Sequence, residues 1–101
     1  MDDLRNFING RWTDLSYDKK ADLIDPSTGE VFATAPVSGA EEVDAAFGAA
    51  AEALEGWRDA TPAERSLALL RIADSIEEHA DQLVAAESQN TGKPIALTLS
   101  E

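Results

Sequence analysis

The sequence of 101 residues contains no cysteine, a single histidine and few aromatic residues, and its basic residues are far outnumbered by acidic ones. Without cysteine, the chain has no disulfide, no thiolate metal ligand and no thiol nucleophile. Its 8 basic and 20 acidic side chains give a formal net charge of −12, which repels nucleic acid and anionic membrane surfaces. We therefore expect neither nucleic acid nor a membrane as a partner.

Long apolar runs are also missing. The first ten residues are acidic and lack the apolar stretch of a signal peptide, and no segment has the length of a membrane span. These absences predict a cytoplasmic protein. The length allows one domain at most, and the scarcity of large apolar residues predicts a core built from small residues and a few large anchors such as Trp12 and Trp57.

Residues 1–37 show the patterns of two short β-hairpins. Within the stretch FINGRW at 7–12, Asn9-Gly10 is a favoured pair for a two-residue type I′ turn, since both positions need a positive φ. A second hairpin is predicted around the Asp-Pro-Ser-Thr-Gly turn at 25–29. The segment 14–22 between the hairpins is predicted to be an exposed connection.

Residues 38–101 change to helical spacing. Ser38 and Glu41 fit a capping box, which predicts an amphipathic helix of about four to five turns after it. Thr61 and Glu64 fit a second box, with Pro62 at the first helical position. The apolar face of the first helix contains Val43, Phe47, Ala50, Leu54 and Trp57.

The second helix is predicted to run without interruption almost to Asn90, a length of about 40 Å. Gly92 then fits the position that ends a helix, and Pro94 stops it and allows a new helix from Ile95. The fold class is therefore α+β, with two short β-hairpins followed by two long amphipathic helices and the start of a third. The wide apolar face of the second helix needs a larger partner surface than this chain offers, and it contains Leu69, Ile72, Ala73, Ile76, Ala80, Leu83 and Val84.

No residue pattern in the chain predicts catalysis. A phosphate-binding loop is excluded at Lys93, because Glu87 stands where the first glycine is needed and Pro94 follows the lysine. His79 has no second imidazole beside it, so a helix-border position is favoured over a metal ligand or general base. The sequence also contains no glycine-rich dinucleotide fingerprint. We predict no catalytic residue and no cofactor bound by this chain alone.

Taken in order, several segments resemble the N-terminal part of the NAD(P)-dependent aldehyde dehydrogenase superfamily. The segments are FINGRW, DPSTGEVFATAP, AEEVDAAFGAAAEALEGW, TPAERSLALLRIADSIEEHADQL and ESQNTGKP. The resemblance covers residues 7–101, and its strength lies in the shared order and spacing. It implies that the hairpins of 1–37 and the helical segment of 38–101 together form an incomplete part of the family's α/β cofactor-binding domain.

The positions that match the family's signatures are structural in that family. They are Asn9, Gly10, Trp12, Pro26, Thr28, Gly29, Trp57, Arg65, Glu87, Thr91, Gly92, Lys93 and Pro94. Asp25 replaces the usual asparagine of the turn and keeps the ability to cap it. The stretch ESQNTGKPIALTLSE at 87–101 most resembles the betaine-aldehyde and aminobutyraldehyde branch of the family. This resemblance implies a monovalent cation bound by the backbone carbonyls of Leu23 and Ile24.

The resemblance implies a parent enzyme that oxidises an aldehyde to a carboxylic acid with NAD or NADP. The family's nucleophilic cysteine, general-base glutamate and dinucleotide-binding sheet follow the matched segment, so this chain is expected to be an inactive scaffold that packs on the remainder of the dehydrogenase. Its end at Glu101, inside a predicted helix, indicates a truncation. The alternative is a stand-alone acidic helical interaction module that self-associates, or binds another protein, through the helical apolar face.

Overall fold

The structure, a computed structural model, describes residues 2–13 and 19–100. Those residues divide into two compact units, one formed by Met1–Leu23 with Val31–Asp59 and the other by Ile24–Glu30 with Ala60–Glu101. The elements are β1 (Asp2–Asp3), β2 (Phe7–Ile8), β3 (Arg11–Trp12), β4 (Lys20–Ile24), β5 (Val31–Pro36), α1 (Ala40–Asp59), α2 (Pro62–Glu78), α3 (Ala80–Thr91) and α4 (Ile95–Leu99). The predicted α+β class is confirmed.

The first unit contains a three-stranded sheet in the order β1-β5-β4. Strands β4 and β5 form an antiparallel hairpin, in which the Val37 N–H donates to the Lys19 carbonyl at 3.0 Å. Strand β1 adds to the other edge of β5 in parallel, with Asp3 opposite Thr34. The sequence did not predict β1, because two consecutive aspartates carry no β pattern and the strand exists only through its pairing with β5.

The first predicted hairpin is confirmed, since β2 and β3 form an antiparallel pair with Phe7 opposite Trp12. Asn9 and Gly10 have φ values of 55° and 78°, as the type I′ turn requires. Part of the predicted exposed connection is wrong, since β4 already begins at Lys20. Pairing with β5 outweighs the weak strand preference of its charged residues, whereas the connection's residues 14–18 lie outside the described residues.

Helix α1 begins at Ala40, one residue later than a cap at Ser38 predicts. The Glu42 carboxylate accepts a hydrogen bond from the Gly39 N–H at 2.8 Å, and the Val43 N–H donates to the Gly39 carbonyl at 3.2 Å. The predicted capping box at Ser38 is therefore wrong. Ser38 has a different partner, because its hydroxyl oxygen accepts a hydrogen bond from the Asn6 side-chain amide at 2.9 Å.

The capping box at the start of α2 is confirmed. The Thr61 hydroxyl accepts from the Glu64 N–H at 3.2 Å, and the Glu64 carboxylate accepts from the Thr61 N–H at 3.0 Å. The single long helix is wrong, however, since α2 and α3 are separated at His79, where φ is −105° and ψ is 18°. Nδ1 of His79 lies 2.8 Å from the Ser75 carbonyl, which also accepts from the His79 N–H at 3.1 Å. The break involves a single residue, and the apolar periodicity of the sequence continues through it.

The predicted end of the helix is confirmed. Gly92 closes α3 with a left-handed φ of 77°, and α4 begins directly after Pro94. Both Leu97 and Thr98 donate their N–H groups to the Pro94 carbonyl, at 3.0 and 3.1 Å.

Large apolar side chains are poorly covered within each unit. Among the described hydrophobic residues, Ala33 alone is buried, at 3% exposure. On α2 and α3, Leu69, Ile76 and Leu83 remain 60%, 54% and 49% exposed. The helical faces thus lack the coverage that an amphipathic helix normally has. Among the described helices, none has both the length and the apolar character needed to cross a bilayer.

Candidate functional site

The turn after β4 is held by its own hydrogen bonds. The Gly29 N–H donates to the Asp25 carbonyl at 2.8 Å, and the Asp25 N–H donates to the Glu30 carbonyl at 2.9 Å. The Asp25 carboxylate accepts from the Ser27 N–H at 2.8 Å, so its predicted capping role is confirmed. The Thr28 hydroxyl accepts from the Glu30 N–H at 3.2 Å, and Gly29 supplies a φ of 75°.

The Glu-Ser-Gln-Asn-Thr-Gly-Lys-Pro stretch at 87–94 forms the end of α3, whose last residue is Thr91, and the link to α4. The Thr91 hydroxyl donates to the Glu87 carbonyl at 2.8 Å and accepts from the Lys93 N–H at 3.2 Å. The Gly92 N–H donates to the Ser88 carbonyl at 2.9 Å. The threonine and glycine therefore terminate a helix, in agreement with the exclusion of a phosphate-binding loop.

Two of the signature positions, far apart in the sequence, meet in the second unit. A Cβ atom placed on Gly92 would lie 2.9 Å from Cγ of Pro26. The sequence contained no signal for this contact, because a glycine at a helix end is explained by its φ alone.

Leu23 and Ile24, the predicted cation ligands, are the last two residues of β4 and directly precede the turn at Asp25. Leu23 is half-buried, and Ile24 is 54% exposed. Within residues 2–13 and 19–100, no group of three or more His, Asp or Glu side chains could hold a metal ion. Cation binding by the two backbone carbonyls stays a prediction.

Trp12, the tryptophan after the Asn9-Gly10 turn, belongs to a small aromatic cluster on the β2–β3 hairpin. Its ring meets that of Phe7 edge-to-face at a centroid distance of 5.1 Å, and Cζ of Arg5 lies 5.5 Å from its centroid. Trp12 nevertheless remains 60% exposed, and Trp57 at the end of α1 is 46% exposed. The interpretation of the two tryptophans as core anchors is wrong for the chain by itself.

Arg65 secures the start of α2. Its Nη1 donates to the Ala60 carbonyl at 2.6 Å, and its N–H donates to the Thr61 carbonyl at 3.0 Å. The side chain therefore ties the residue before the cap to the first turn of the helix, which is a structural role.

An electrostatic contact that the sequence did not reveal joins the three strands of the sheet. The Asp3 carboxylate accepts a hydrogen bond from the Thr34 hydroxyl and lies 3.8 Å from Nζ of Lys20. The Thr34 hydrogen bond, followed by the charge of Lys20, lowers the pKa of Asp3 below its ordinary value. The group is exposed to solvent, so its ion pair contributes little to the stability of the sheet.

The model of the Aldehyde dehydrogenase family matches residues 12–101. The chain is 46% identical over 94 residues to 2-aminomuconic semialdehyde dehydrogenase of Mus musculus, with 93% of the chain and 19% of that protein covered. It is 37% identical over 99 residues to a long-chain-aldehyde dehydrogenase of Acinetobacter sp., covering 98% of the chain and 20% of that protein.

Solved structures give the same result. An aldehyde dehydrogenase from Bartonella henselae superimposes with a TM-score of 0.93 at 29% identity, covering 99% of this chain and 21% of that one. A point mutant of betaine aldehyde dehydrogenase from Staphylococcus aureus was solved in complex with NAD+. It superimposes with a TM-score of 0.86 at 31% identity, covering 95% of this chain and 20% of that one. The chain spans about a fifth of the length of these relatives. It belongs to the aldehyde dehydrogenase family.

Proposed function

We propose that the chain is the scaffold portion of an NAD(P)-dependent aldehyde dehydrogenase, an oxidoreductase that converts an aldehyde to a carboxylic acid, and that it is inactive alone. The observation that carries the proposal is the match to this family along residues 12–101, in a chain that contains no cysteine to act as nucleophile. In this proposal the hairpins and helices are a structural scaffold, and the catalytic residues belong to other parts of the parent enzyme.

The parent's cofactor is NAD or NADP in this proposal, supported by the solved betaine aldehyde dehydrogenase that contains NAD+. We propose that this chain binds no dinucleotide by itself. At the start of α1, where a phosphate could otherwise meet free N–H groups, Glu41 and Glu42 place negative charge, and the Glu42 carboxylate already accepts from the Gly39 N–H. We therefore assign no cofactor contact to this chain.

The remainder of the dehydrogenase is the proposed partner of the exposed helical faces. The half-exposed apolar residues of α2 and α3 support this proposal, since a large exposed apolar surface marks a site of interaction with another protein surface. The betaine-aldehyde and aminobutyraldehyde branch stays a prediction. The 2-aminomuconic semialdehyde dehydrogenase of Mus musculus has a higher identity, 46%, than the solved betaine aldehyde dehydrogenase, 31%.

A chimeric enzyme tests the scaffold role. In betaine aldehyde dehydrogenase from Staphylococcus aureus, the matching segment would be replaced by this chain, and NADH formation from betaine aldehyde would be measured. We expect a folded, active chimera, because the backbone of the exchanged segment superimposes with a TM-score of 0.86. The same enzyme with the segment deleted serves as the control and should be inactive.

Two results would overturn the proposal. A chimera that is insoluble or inactive, while the unmodified relative is active, would show that the segment is not an equivalent scaffold. Production of NADH from an aldehyde by the purified 101-residue chain would show that the chain is catalytic by itself.

A further inference from the structure

Three glycines of the chain share almost the same left-handed backbone conformation but have different surroundings. Gly10, Gly29 and Gly92 have φ values of 78°, 75° and 77°. A Cβ atom on Gly10 or Gly29 would meet nothing within 4 Å, whereas one on Gly92 would lie 2.9 Å from Cγ and 3.6 Å from Cβ of Pro26. The positive φ favours glycine at all three positions, and Gly92 has the close Pro26 ring as a second reason.

Neither side of this contact can move away easily. On one side, Pro26 is in the turn that Asp25 holds through the Gly29 and Ser27 N–H groups. On the other side, Gly92 is fixed by its N–H bond to the Ser88 carbonyl. The proline ring is rigid, so a side chain at position 92 would have to displace either the turn or the helix end.

We infer that Gly92 is a positioning residue, whose missing side chain leaves room for the Pro26 ring and so holds the turn at 25–30 against the end of α3. The Asp-Pro-Ser-Thr-Gly and Thr-Gly-Lys-Pro signatures are then two halves of one packed contact. This inference concerns packing within the second unit and does not rest on the proposed enzymatic role.

Asparagine substitutions separate the contact from the backbone effect. Asparagine tolerates the left-handed region better than other residues with a Cβ, so Gly29→Asn and Gly92→Asn carry a similar conformational cost. Gly29→Asn is the matched control, because its Cβ meets no neighbour. We expect the thermal midpoint of the 101-residue chain, followed by circular dichroism at 222 nm, to fall by at least about 5 °C more in Gly92→Asn than in Gly29→Asn.

Removing the proline ring tests the contact from its other side. In Pro26→Ala the atom at 2.9 Å disappears, and the remaining Cβ at 3.6 Å is in ordinary van der Waals range. The double variant Pro26→Ala/Gly92→Asn should therefore recover most of the additional loss, after correction for Pro26→Ala alone. Pro26→Ala should give no such recovery when combined with Gly29→Asn.

Either of two results would overturn the inference. The first is a midpoint for Gly92→Asn no lower than that for Gly29→Asn. The second is an equal additional loss with and without the proline ring, which would show that Gly92 acts through its φ value alone.

Discussion

Replacing Ile76 by aspartate should affect the isolated chain and the complete enzyme very differently. Ile76 lies on the apolar face of α2 and is 54% exposed in the chain by itself. An aspartate there would remain hydrated in the isolated chain. If the rest of the dehydrogenase covers this face, as we propose, the same aspartate would be buried without a partner.

The exposed fraction of Ile76 sets the free energy that the enzyme gains by covering this side chain. Full burial of an isoleucine side chain contributes about 1.5–3 kcal/mol, so covering the half that is still exposed contributes roughly 1 kcal/mol. Burying an unpaired carboxylate costs several kcal/mol more. We therefore expect Ile76→Asp to lower the thermal midpoint of the chimera strongly and to reduce its yield of active enzyme. In the isolated chain, the helical signal at 222 nm should be almost unchanged.

Ser75→Asp is the matched control, because it adds the same charge at the neighbouring position, which points about 100° away around the helix. The assay compares betaine-aldehyde-dependent NADH formation and thermal midpoint for both variants of the chimera. Equal midpoints and activities for the two variants would refute the proposal that the enzyme covers this face. Light scattering on the isolated chain tests the alternative that this face mediates self-association. An oligomer that dissociates in the Ile76→Asp variant would favour that alternative.

Two further predictions concern the local contacts of the chain. Thr61→Ala should lower the free energy of unfolding by about 1 kcal/mol, measured by urea unfolding, because it removes the hydrogen bond from the Glu64 N–H. Thr61→Ser keeps the hydroxyl and should be nearly neutral. Equal losses of stability in the two variants would contradict the capping role. Because the pKa of Asp3 is lowered in the folded chain, its contribution to stability is present above the unfolded pKa of about 3.9 and is lost as the pH falls through the folded value. A ¹³C titration of the Asp3 carboxyl should therefore show a higher pKa in Thr34→Val than in the parent chain, and an unchanged titration would exclude the hydrogen bond as the main cause.

Several expectations from composition remain predictions. Charge argues against nucleic acid and membrane partners, and the cytoplasmic location rests on the sequence alone. The division into hairpins at 1–37 and helices at 38–101 follows the order of elements along the chain. The compact units combine these segments differently, because the turn at Ile24–Glu30 belongs with the unit that contains Ala60–Glu101.

The sequence by itself determined the features whose hydrogen bonds close within a few residues. Asn9-Gly10 specifies its turn through two positive φ values, Thr61 and Glu64 cap each other, and Gly92 ends a helix. The family resemblance was readable for the same reason, since its signatures are mostly such turns and caps. These features need no information about distant parts of the chain.

Only the tertiary structure decided the features in which distant residues compete or meet. Strand β1 exists through its parallel pairing with β5, and Ser38 binds Asn6 instead of capping α1. The contact between Pro26 and Gly92 likewise joins two turns that each look complete alone. No local pattern encodes such contacts, because their energy depends on which surfaces the folded backbone brings together. For the same reason, the sequence predicts the apolar faces of the helices, but not which surface packs against them.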